Sequence, residues 1–273
     1  MACVLAALRM VHPAPTIAVV GLSAALAAIL SNEAGAPAFG GRVLLVALSV
    51  LGSQIVTGVM NDWADRERDA HTQPTKPIPA GEARPSTALV LAAVGLTLQV
   101  AASVPLGWLP LALGLLAVGS ALAYDLWLSR TVASFVPYLV SFGLLPLWIA
   151  AGVGAPLERV APAALLVGPF AVAAHLANTL KDFEGDAAAR SGNLAQRLGR
   201  LRASVLAVVL AAGVGIGAGI GLAAAGRLGL PSLLLGLVGL LAIAQGIGGA
   251  PRLWAGTLVA AVTWTAAWAL ATG

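Results

Sequence analysis

Long uninterrupted stretches of hydrophobic residues dominate the chain and are separated by short polar connections. A helix that crosses a bilayer needs about 20 mostly apolar residues, with a usual range of about 17–25. Nine stretches meet this requirement: residues 13–31, 43–60, 86–104, 109–128, 132–152, 162–180, 203–223, 230–248 and 253–271. Membrane β-barrels show short stretches of alternating polarity instead. The pattern therefore predicts an all-α polytopic membrane protein with nine transmembrane helices.

The composition agrees with a chain that lies mostly within lipid. Of the 273 residues, 59% are hydrophobic and only 10% are charged, whereas soluble domains carry about 25% charged residues. These values argue against a soluble enzyme and against a disordered chain. The single cysteine, Cys3, excludes an intrachain disulfide and a cysteine-based metal site. No low-complexity linker divides the sequence, so we predict one transmembrane domain over residues 1–273.

The 15 Lys and Arg residues are distributed unevenly among the connections. With the N-terminus inside, three of them lie on the outer side, at Arg42, Arg159 and Arg227, and the rest lie on the inner side. Cytoplasmic loops are enriched in Lys and Arg. We therefore predict a multi-pass protein of a cell inner membrane, with a cytoplasmic N-terminus and an external C-terminus. The scattered cations indicate topology and not a nucleic-acid partner, and we expect membrane lipid but no obligate protein partner.

Seven of the 11 acidic residues lie in two short polar stretches. NDWADRERD, residues 61–69, follows the second predicted helix, and KDFEGD, residues 181–186, follows the sixth. Both stretches lie on the predicted inner side. If each stretch continues its helix, residues three, four and seven apart share one face. One face then carries Asn61, Asp62, Asp65 and Asp69, and the other carries Asn178, Asp182 and Asp186.

Carboxylates at this spacing repel one another and weaken a helix. Arg66, Arg68 and Lys181 offset part of the repulsion. Divalent cations would offset more of it, because Mg²⁺ prefers carboxylate oxygens and keeps positions open for phosphate oxygens. The separation of the two stretches by four helices indicates two four-helix units plus one helix. We expect the acidic faces to meet across a central cavity. The alternative, a solvated interfacial face, gives no reason for a matching pair.

The two motifs resemble those of the UbiA superfamily of intramembrane prenyltransferases. NDWADRERD matches the pattern NDxxDxxxD, and KDFEGD matches DxxxD. KPIPAGEARP resembles the loop after the first motif, although Arg more often stands at the position of Lys76. LRMVHP before the first predicted helix, YDLWLSR after the fourth and the nine-helix plan are also similar, so the resemblance extends over essentially the whole chain.

The resemblance implies a Mg²⁺-dependent transfer of a prenyl chain from an isoprenoid diphosphate to an aromatic or other lipophilic acceptor within the membrane. By motif match, the metal ligands are Asn61, Asp62, Asp65, Asp69, Asp182 and Asp186, and the five aspartates are the catalytic residues. Arg9 and Arg130 match basic residues that bind the diphosphate, and we add Asn61, Lys76 and Lys181 to these contacts. Tyr124, His175 and Asn178 are candidates for contacts with the acceptor or the cavity.

For several residues, a purely structural role is an alternative to a functional one. His175 lies seven residues before Asp182 and is either a base or acceptor contact, or a buried histidine satisfied by a neighbouring helix. Arg9 and Arg130 either bind phosphate or anchor the chain at the inner surface. Asp125, beside Tyr124, matches no family role. Glycines four apart, at 213, 217 and 221, predict close packing of the seventh helix.

Two functions other than prenyl transfer are left open by the sequence. A UbiA-type terpene cyclase would keep both acidic motifs and act on a polyprenyl diphosphate without an acceptor. A cation transporter or channel would need acids near the bilayer centre or along a pore. Transport is disfavoured, because the acids lie at the inner ends of the predicted helices. The acceptor and the length of the prenyl chain are not determined.

Overall fold

The computed structural model describes residues 2–272, and side chains over residues 4–271. In that range the chain forms helices and turns, and no β-strand. The twelve α-helices of residues 2–272 are α1 Ala2–Met10, α2 Pro13–Glu33, α3 Gly41–Thr72, α4 Pro85–Ser103, α5 Trp108–Ala123, α6 Val136–Val153, α7 Ala161–Lys181, α8 Phe183–Ala188, α9 Leu194–Leu198, α10 Arg200–Ala224, α11 Leu230–Ala244 and α12 Ala250–Thr272. A π-helical turn, Tyr124–Leu128, extends α5.

Nine helical segments of the described chain are long and apolar enough to cross a membrane. They are Pro13–Glu33, Gly41–Thr72, Pro85–Leu106, Trp108–Leu128, Val132–Val153, Ala161–Lys181, Arg200–Ala224, Leu230–Gly248 and Ala250–Ala271. Each coincides with one of the nine predicted stretches. The prediction of an all-α protein with nine transmembrane helices is confirmed, and the chain is a multi-pass membrane protein.

Proline and glycine set several helix boundaries. Pro13, Pro85 and Pro231 stand in the first turns of α2, α4 and α11. A proline fits there because its missing N–H has no partner within the helix and its fixed φ is already helical. Gly226 follows α10 with a φ of 67°, the left-handed conformation that commonly ends a helix. These residues therefore mark where helices begin or end.

The contacts divide the chain into two compact units. The first unit comprises the described residues up to Ser129 together with Leu144–Val160, and the second comprises Arg130–Gly143 together with the described residues from Ala161 on. Each unit holds four of the candidate spans and part of α6. This partition agrees with the expected two four-helix units plus one helix. The single domain over residues 1–273 stays a prediction.

In the first unit, α3 and α4 pack with their backbones in contact. A Cβ added to Gly52 would lie 2.5 Å from the backbone oxygen of Gly95 and from the backbone nitrogen of Gln99. The absence of side chains at Gly52 and Gly95 therefore lets the two helices approach closely. Beside this crossing, the Ser49 and Ser103 hydroxyls hydrogen-bond at 2.6 Å. This packing holds the helix that carries the first acidic motif.

In the second unit, the predicted glycine stripe is wrong. A Cβ added to Gly213 or Gly221 would meet no atom of the described residues within 4 Å, and one at Gly217 would make only ordinary contact with Leu166. A Cβ on Gly215, in contrast, would lie 2.3 Å from the ring of Trp264. A spacing of four shows which residues share a face, but it does not show which face meets a bulky neighbour.

Candidate functional site

Three carboxylates are buried on one face of α3. The exposed fractions of Asp62, Asp65 and Asp69 are 2%, 5% and 0%. The helix continues through the first acidic motif to Thr72, as predicted, so residues three, four and seven apart share a face. Burying an unpaired carboxylate is costly. Cationic or donor groups must therefore lie against this acidic face.

Lys76 bridges two of these carboxylates. Its Nζ lies 2.7 Å from Asp69 Oδ2 and 3.0 Å from Asp62 Oδ1. The lysine stands in the loop after α3, where its backbone N–H donates to Gln73 and its carbonyl accepts from Ala80. Burial by itself lowers the pKa of the Lys76 ammonium, but the hydrogen bond to Asp69 and the charges of both aspartates raise the pKa above its ordinary value. Lys76 is therefore a protonated partner of the acidic face.

Two further groups contact the same face. Arg68 donates to Asp65 Oδ2 at 2.7 Å, and its Nε lies 3.7 Å from Asp69 Oδ1. His12 Nε2 lies 3.1 Å from Asp62 Oδ1, from the turn between α1 and α2. No pattern in the sequence indicated a role for His12, although the residue belongs to the stretch LRMVHP. It was missed because 50 residues separate it from Asp62.

The first residue of the motif contacts an acid outside it. Asn61 Nδ2 donates to Asp125 Oδ1 at 3.1 Å. Asp125 lies in the π-helical turn after α5 and is 9% exposed. Its second oxygen, Oδ2, is buried and accepts no hydrogen bond. Asp125 therefore joins the buried acidic group, whereas the sequence suggested only an interfacial residue near Arg130 or a contact with the acceptor.

The donor chemistry of this group fits a hard divalent cation. The buried carboxylates of Asp62, Asp65, Asp69 and Asp125 outnumber the adjacent cations Lys76 and Arg68. Among the side chains described for residues 4–271, no three acidic, cysteine or histidine groups converge as a preformed cage. Lys76 and Arg68 contact carboxylate oxygens of this group. A cage is not required, because Mg²⁺ commonly binds one or two carboxylates together with substrate phosphates.

Arg9 and Tyr124 lie on segments of the first unit that also carry or contact residues next to this group in the sequence. Arg9 donates to Glu82 at 2.5 Å and to the carbonyl of Thr75, so it holds the proline-rich loop against α1. Tyr124 is half-buried in the π-helical turn, and its carbonyl accepts the N–H of Ser129. The assignment of Arg9 to the diphosphate and of Tyr124 to the acceptor or cavity stays a prediction.

The second acidic motif has a different local structure. We expected KDFEGD to continue the sixth span as a helix, and this is wrong: α7 ends at Lys181, and Asp182 leaves helical geometry before α8 begins. The Thr179 hydroxyl donates back to the carbonyls of His175 and Leu176, which favours a bend. Asp182 therefore stands in a turn and does not share one helix with Asn178.

Hydrogen bonds join α8, which follows this turn, to the start of α9. Asp186 Oδ2 accepts from Asn193 Nδ2 at 2.8 Å, and Asn193 in turn caps α9 by accepting from the N–H of Gln196. The carbonyl of Arg130 accepts from the N–H of Gly192 at 2.9 Å. The side chains of Arg130 and Asp182 are exposed. The second unit thus presents Asp186 on α8, held by Asn193, whose neighbour Gly192 contacts the backbone of Arg130.

His175, Asn178 and Lys181 lie on α7. His175 is 1% exposed, stacks on Tyr138 with ring centroids 4.3 Å apart, and places Nε2 3.1 Å from Ser134 Oγ. These contacts support the alternative of a buried histidine satisfied by a neighbouring segment. Asn178 is half-buried, and the Lys181 ammonium lies 4.5 Å from the ring centroid of Trp254.

The residues predicted for one site fall in two units. The first unit brings together Asn61, Asp62, Asp65, Asp69 and Lys76. It also contains Arg9 and Tyr124. The second unit contains Arg130, His175, Asn178, Lys181, Asp182 and Asp186. The contacts within the first unit are those expected of a cation-binding carboxylate group. The individual ligand roles in both units stay predictions.

Comparisons with known proteins bear on the whole chain. A model of the UbiA prenyltransferase family matches residues 18–248. A digeranylgeranylglyceryl phosphate synthase from Natronomonas pharaonis is 29% identical over 149 residues, which cover 52% of this chain and 53% of the relative. The match therefore spans about half the length of that curated relative.

Solved structures share the fold. The apo structure of a UbiA homologue from Aeropyrum pernix K1 has a TM-score of 0.77 at 20% identity, covering 93% of this chain and 96% of that one. A UbiA homologue from Archaeoglobus fulgidus bound to GPP and Mg²⁺ has a TM-score of 0.64 at 16% identity, covering 98% and 100%. At these identities the likeness establishes the helical fold.

Proposed function

The chain belongs to the UbiA prenyltransferase family, and we propose that it transfers a prenyl chain from an isoprenoid diphosphate to an aromatic or other lipophilic acceptor within the membrane, in a Mg²⁺-dependent reaction. The observation that carries the proposal is the buried acidic face of Asp62, Asp65 and Asp69 at the end of a membrane-spanning helix. The relative that binds GPP and Mg²⁺ supports the choice of donor and cation.

The carboxylates of the first motif would hold the cation, together with Asn61. Bound Mg²⁺ supplies Lewis-acid neutralisation of the diphosphate oxygens. Asp182 and Asp186 of the second motif are proposed as cation ligands on the strength of their motif alone. Lys76 carries three N–H donors on a flexible stem, and such donors form strong charge-assisted hydrogen bonds with phosphate oxygens.

The reaction proposed is a substitution at the first carbon of the prenyl chain. The bond between this carbon and the diphosphate oxygen breaks, and the diphosphate leaves with the electron pair. A nucleophilic carbon or oxygen of the acceptor forms the new bond and releases one proton. The protein's part is to bind and orient the diphosphate and to exclude water from the developing allylic cation. Nine apolar spans within residues 2–272 provide the surroundings for such a lipophilic donor.

Turnover by the purified full chain tests this proposal. The protein is reconstituted in lipid nanodiscs and incubated with Mg²⁺ and prenyl diphosphates of increasing length, with and without acceptors. The acceptor panel includes an aromatic hydroxy acid, a quinone precursor and, in view of the digeranylgeranylglyceryl phosphate synthase relative, geranylgeranylglyceryl phosphate. We expect release of diphosphate together with a prenylated acceptor, both abolished by EDTA and restored by Mg²⁺.

Two outcomes would contradict prenyl transfer. Absence of diphosphate release with every donor and acceptor would remove the proposed activity. Formation of a terpene hydrocarbon or alcohol without an acceptor would indicate the cyclase alternative, since a cyclase and a transferase share the acidic motifs and differ in the fate of the prenyl cation.

We also propose the location and orientation of the chain. It would lie in a cell inner membrane with its N-terminus in the cytoplasm and its C-terminus outside. The distribution of Lys and Arg among the connections supports this orientation. In the proposed orientation the first acidic motif would lie on the cytoplasmic side.

A further inference from the structure

A buried carboxylate outside both acidic motifs contacts the first of them. We propose that Asp125 is a positioning residue: it holds the Asn61 amide in one orientation, with Nδ2 toward Asp125 and the carbonyl oxygen left for Mg²⁺. This inference rests on the proposed function, because it assigns a role in the same cation site. The hydrogen bond from Asn61 Nδ2 to Asp125 Oδ1, at 3.1 Å, is its starting point.

The chemistry of the contact selects one edge of the amide. An ionised carboxylate only accepts hydrogen bonds, whereas an amide has a donating NH₂ edge and an accepting oxygen edge. A flipped Asn61 would place its oxygen against the oxygen of Asp125, and the lone pairs would repel. When ionised, Asp125 therefore favours the orientation in which the Asn61 oxygen is directed elsewhere. Mg²⁺ binds carbonyl and carboxylate oxygens and not amide nitrogens.

The backbone around Asp125 brings its side chain to α3. The α-helical part of α5 ends at Ala123, and residues 124–128 form a π-helical turn in which Ser129 N donates to the Tyr124 carbonyl at 2.9 Å. A π turn contains more residues than an α turn, so it shifts the side chains out of the preceding helical register, and such turns occur frequently at functional sites. The irregular turn thus places an acid beside Asn61.

The unsatisfied oxygen of Asp125 points to a functional role. Oδ2 is buried and accepts no hydrogen bond, and a buried polar atom without a partner destabilises the folded protein. A residue retained for packing alone would be more stable as an apolar or amide side chain. The cost is explained if the carboxylate is kept for the orientation that it gives the Asn61 amide. Outer-shell carboxylates commonly orient metal ligands in this way.

Two substitutions of Asp125 distinguish a role in orienting Asn61 from a role of the negative charge itself. D125A removes the acceptor, whereas D125N keeps an oxygen that can accept from Asn61 and removes the charge. We expect D125A to raise the half-saturating Mg²⁺ concentration about 10- to 100-fold, the usual effect of losing an outer-shell partner. D125N should cause a clearly smaller rise than D125A, because it keeps an oxygen that can accept the hydrogen bond from Asn61. The Mg²⁺ dependence of both variants is measured by titrating turnover with Mg²⁺ and by calorimetry of the binding of a non-cleavable prenyl thiodiphosphate in the presence of Mg²⁺.

A double-mutant cycle tests whether Asp125 acts through Asn61. N61A should show the same Mg²⁺ defect as D125A, and adding D125A to N61A should cause no further loss, because residues in one network are not additive. E67A serves as the matched control, since Glu67 is an exposed acid on α3 that pairs only with Arg66 among the described ion pairs. D125S, with a side chain too short to replace the carboxylate, substitutes for D125A if that variant does not fold.

Three results would overturn the positioning role of Asp125, and a different result would overturn the proposed function. Equal defects in D125N and D125A would assign Asp125 to charge or direct ligation and overturn positioning. Unchanged Mg²⁺ dependence in D125A, or multiplied losses in the double variant, would overturn it as well. Failure of the proposed function appears differently, as a wild-type protein without Mg²⁺-dependent turnover or binding of the thiodiphosphate.

Discussion

At the residue scale, the acidic face is stable only with cations against it. Asp62 and Asp69 share the ammonium of Lys76, and Asp65 pairs with Arg68. Removing one partner of a buried ion pair typically costs about 3–5 kcal/mol, because it leaves an uncompensated charge. The carboxylate oxygens that receive these side chains are also the oxygens proposed to bind Mg²⁺. Lys76 and the metal are therefore expected to compete for Asp62 and Asp69.

Replacing Asp65 by alanine tests the first motif. We expect turnover to fall about 100-fold or more, in line with the loss of one preorganised electrostatic contact to a reacting group. E67A, two residues along the same helix, should retain turnover because Glu67 is exposed and lies off the acidic face. Diphosphate release in the presence of Mg²⁺ measures both. Equal activity in D65A and E67A would exclude the proposed site.

Replacing Lys76 by methionine tests the competition for carboxylates. Without Mg²⁺, K76M should unfold at a lower temperature than the wild type, because Asp62 and Asp69 lose their shared cation. Added Mg²⁺ should then stabilise K76M more than it stabilises the wild type. Thermal unfolding in detergent measures this, with R200M as control, since Arg200 forms an exposed pair with Glu184. Equal Mg²⁺ shifts in K76M and wild type would contradict a shared site.

The stabilising effect of Lys76 should depend on pH in one direction. Its pKa is raised in the folded protein, so its contribution to stability is complete below the unfolded value of about 10.4 and is lost as the pH rises through the folded value. The difference in unfolding temperature between wild type and K76M should therefore be constant from about pH 7 to 9 and decrease only above about pH 10. Thermal unfolding across this range measures it; a difference that disappears near neutral pH would show that Lys76 is not a charged partner.

At the element scale, the length of α3 accounts for the position of the first motif. Its 32 residues extend about 48 Å at about 1.5 Å per residue, whereas the hydrocarbon core is about 30 Å thick. The last turns, which carry Asp62, Asp65 and Asp69, can therefore extend to the membrane surface where a charged diphosphate arrives. Close packing against α4 then holds the whole helix, through backbone contact at Gly52.

Substitution of Gly52 tests this packing. G52A would place a methyl group 2.5 Å from backbone atoms of α4, and overpacking of this kind typically costs about 1–3 kcal/mol. G213A is the control, because the added methyl at Gly213 meets no described atom within 4 Å. We expect G52A alone to lower the unfolding temperature in detergent. Similar unfolding temperatures for the two variants would argue against tight contact between α3 and α4.

At the scale of the whole molecule, the surface of the spans suits a lipid environment. Large apolar side chains such as Leu165, Leu201 and Ile220 are 78%, 77% and 64% exposed. Contiguous apolar surface of this kind aggregates in water but is satisfied by acyl chains. The described helices also satisfy most of their own backbone groups, as a bilayer requires. The multi-pass assignment thus agrees with composition, span length and surface.

Cysteine labelling tests the proposed orientation. Cys3 is first replaced by serine, and single cysteines are introduced at Ala189, before α9, and at Ala225, after α10, both at exposed positions. We expect a membrane-impermeant thiol reagent to label A225C from outside intact cells and A189C only in inverted vesicles, because the inner connections carry most of the Lys and Arg. The reverse pattern, or labelling of both positions from one side, would contradict the orientation.

Much of the fold could be predicted from the sequence because membrane spans are local properties of the chain. The length and polarity of a stretch decide whether it crosses lipid. Each of the nine stretches could therefore be identified without information about the other segments. The helical spacing of Asp62, Asp65 and Asp69 is equally local, so their common face was predictable. The same reasoning failed at Asp182. The bend there depends on the balance between the backbone hydrogen bonds of a continued helix and the side-chain hydrogen bonds of Thr179.

The partners of the acidic face were decided by tertiary structure. His12 and Asp62 lie 50 residues apart, and Asn61 and Asp125 lie 64 apart, so no window of sequence contains either contact. Likewise, Gly215 and not Gly213 meets Trp264, because only the packed helices determine which face has a neighbour. The sequence alone determined which segments are helices in a membrane and which acids share a face; the tertiary structure decided which cations and amides meet those acids, since such contacts depend on the three-dimensional packing of distant segments.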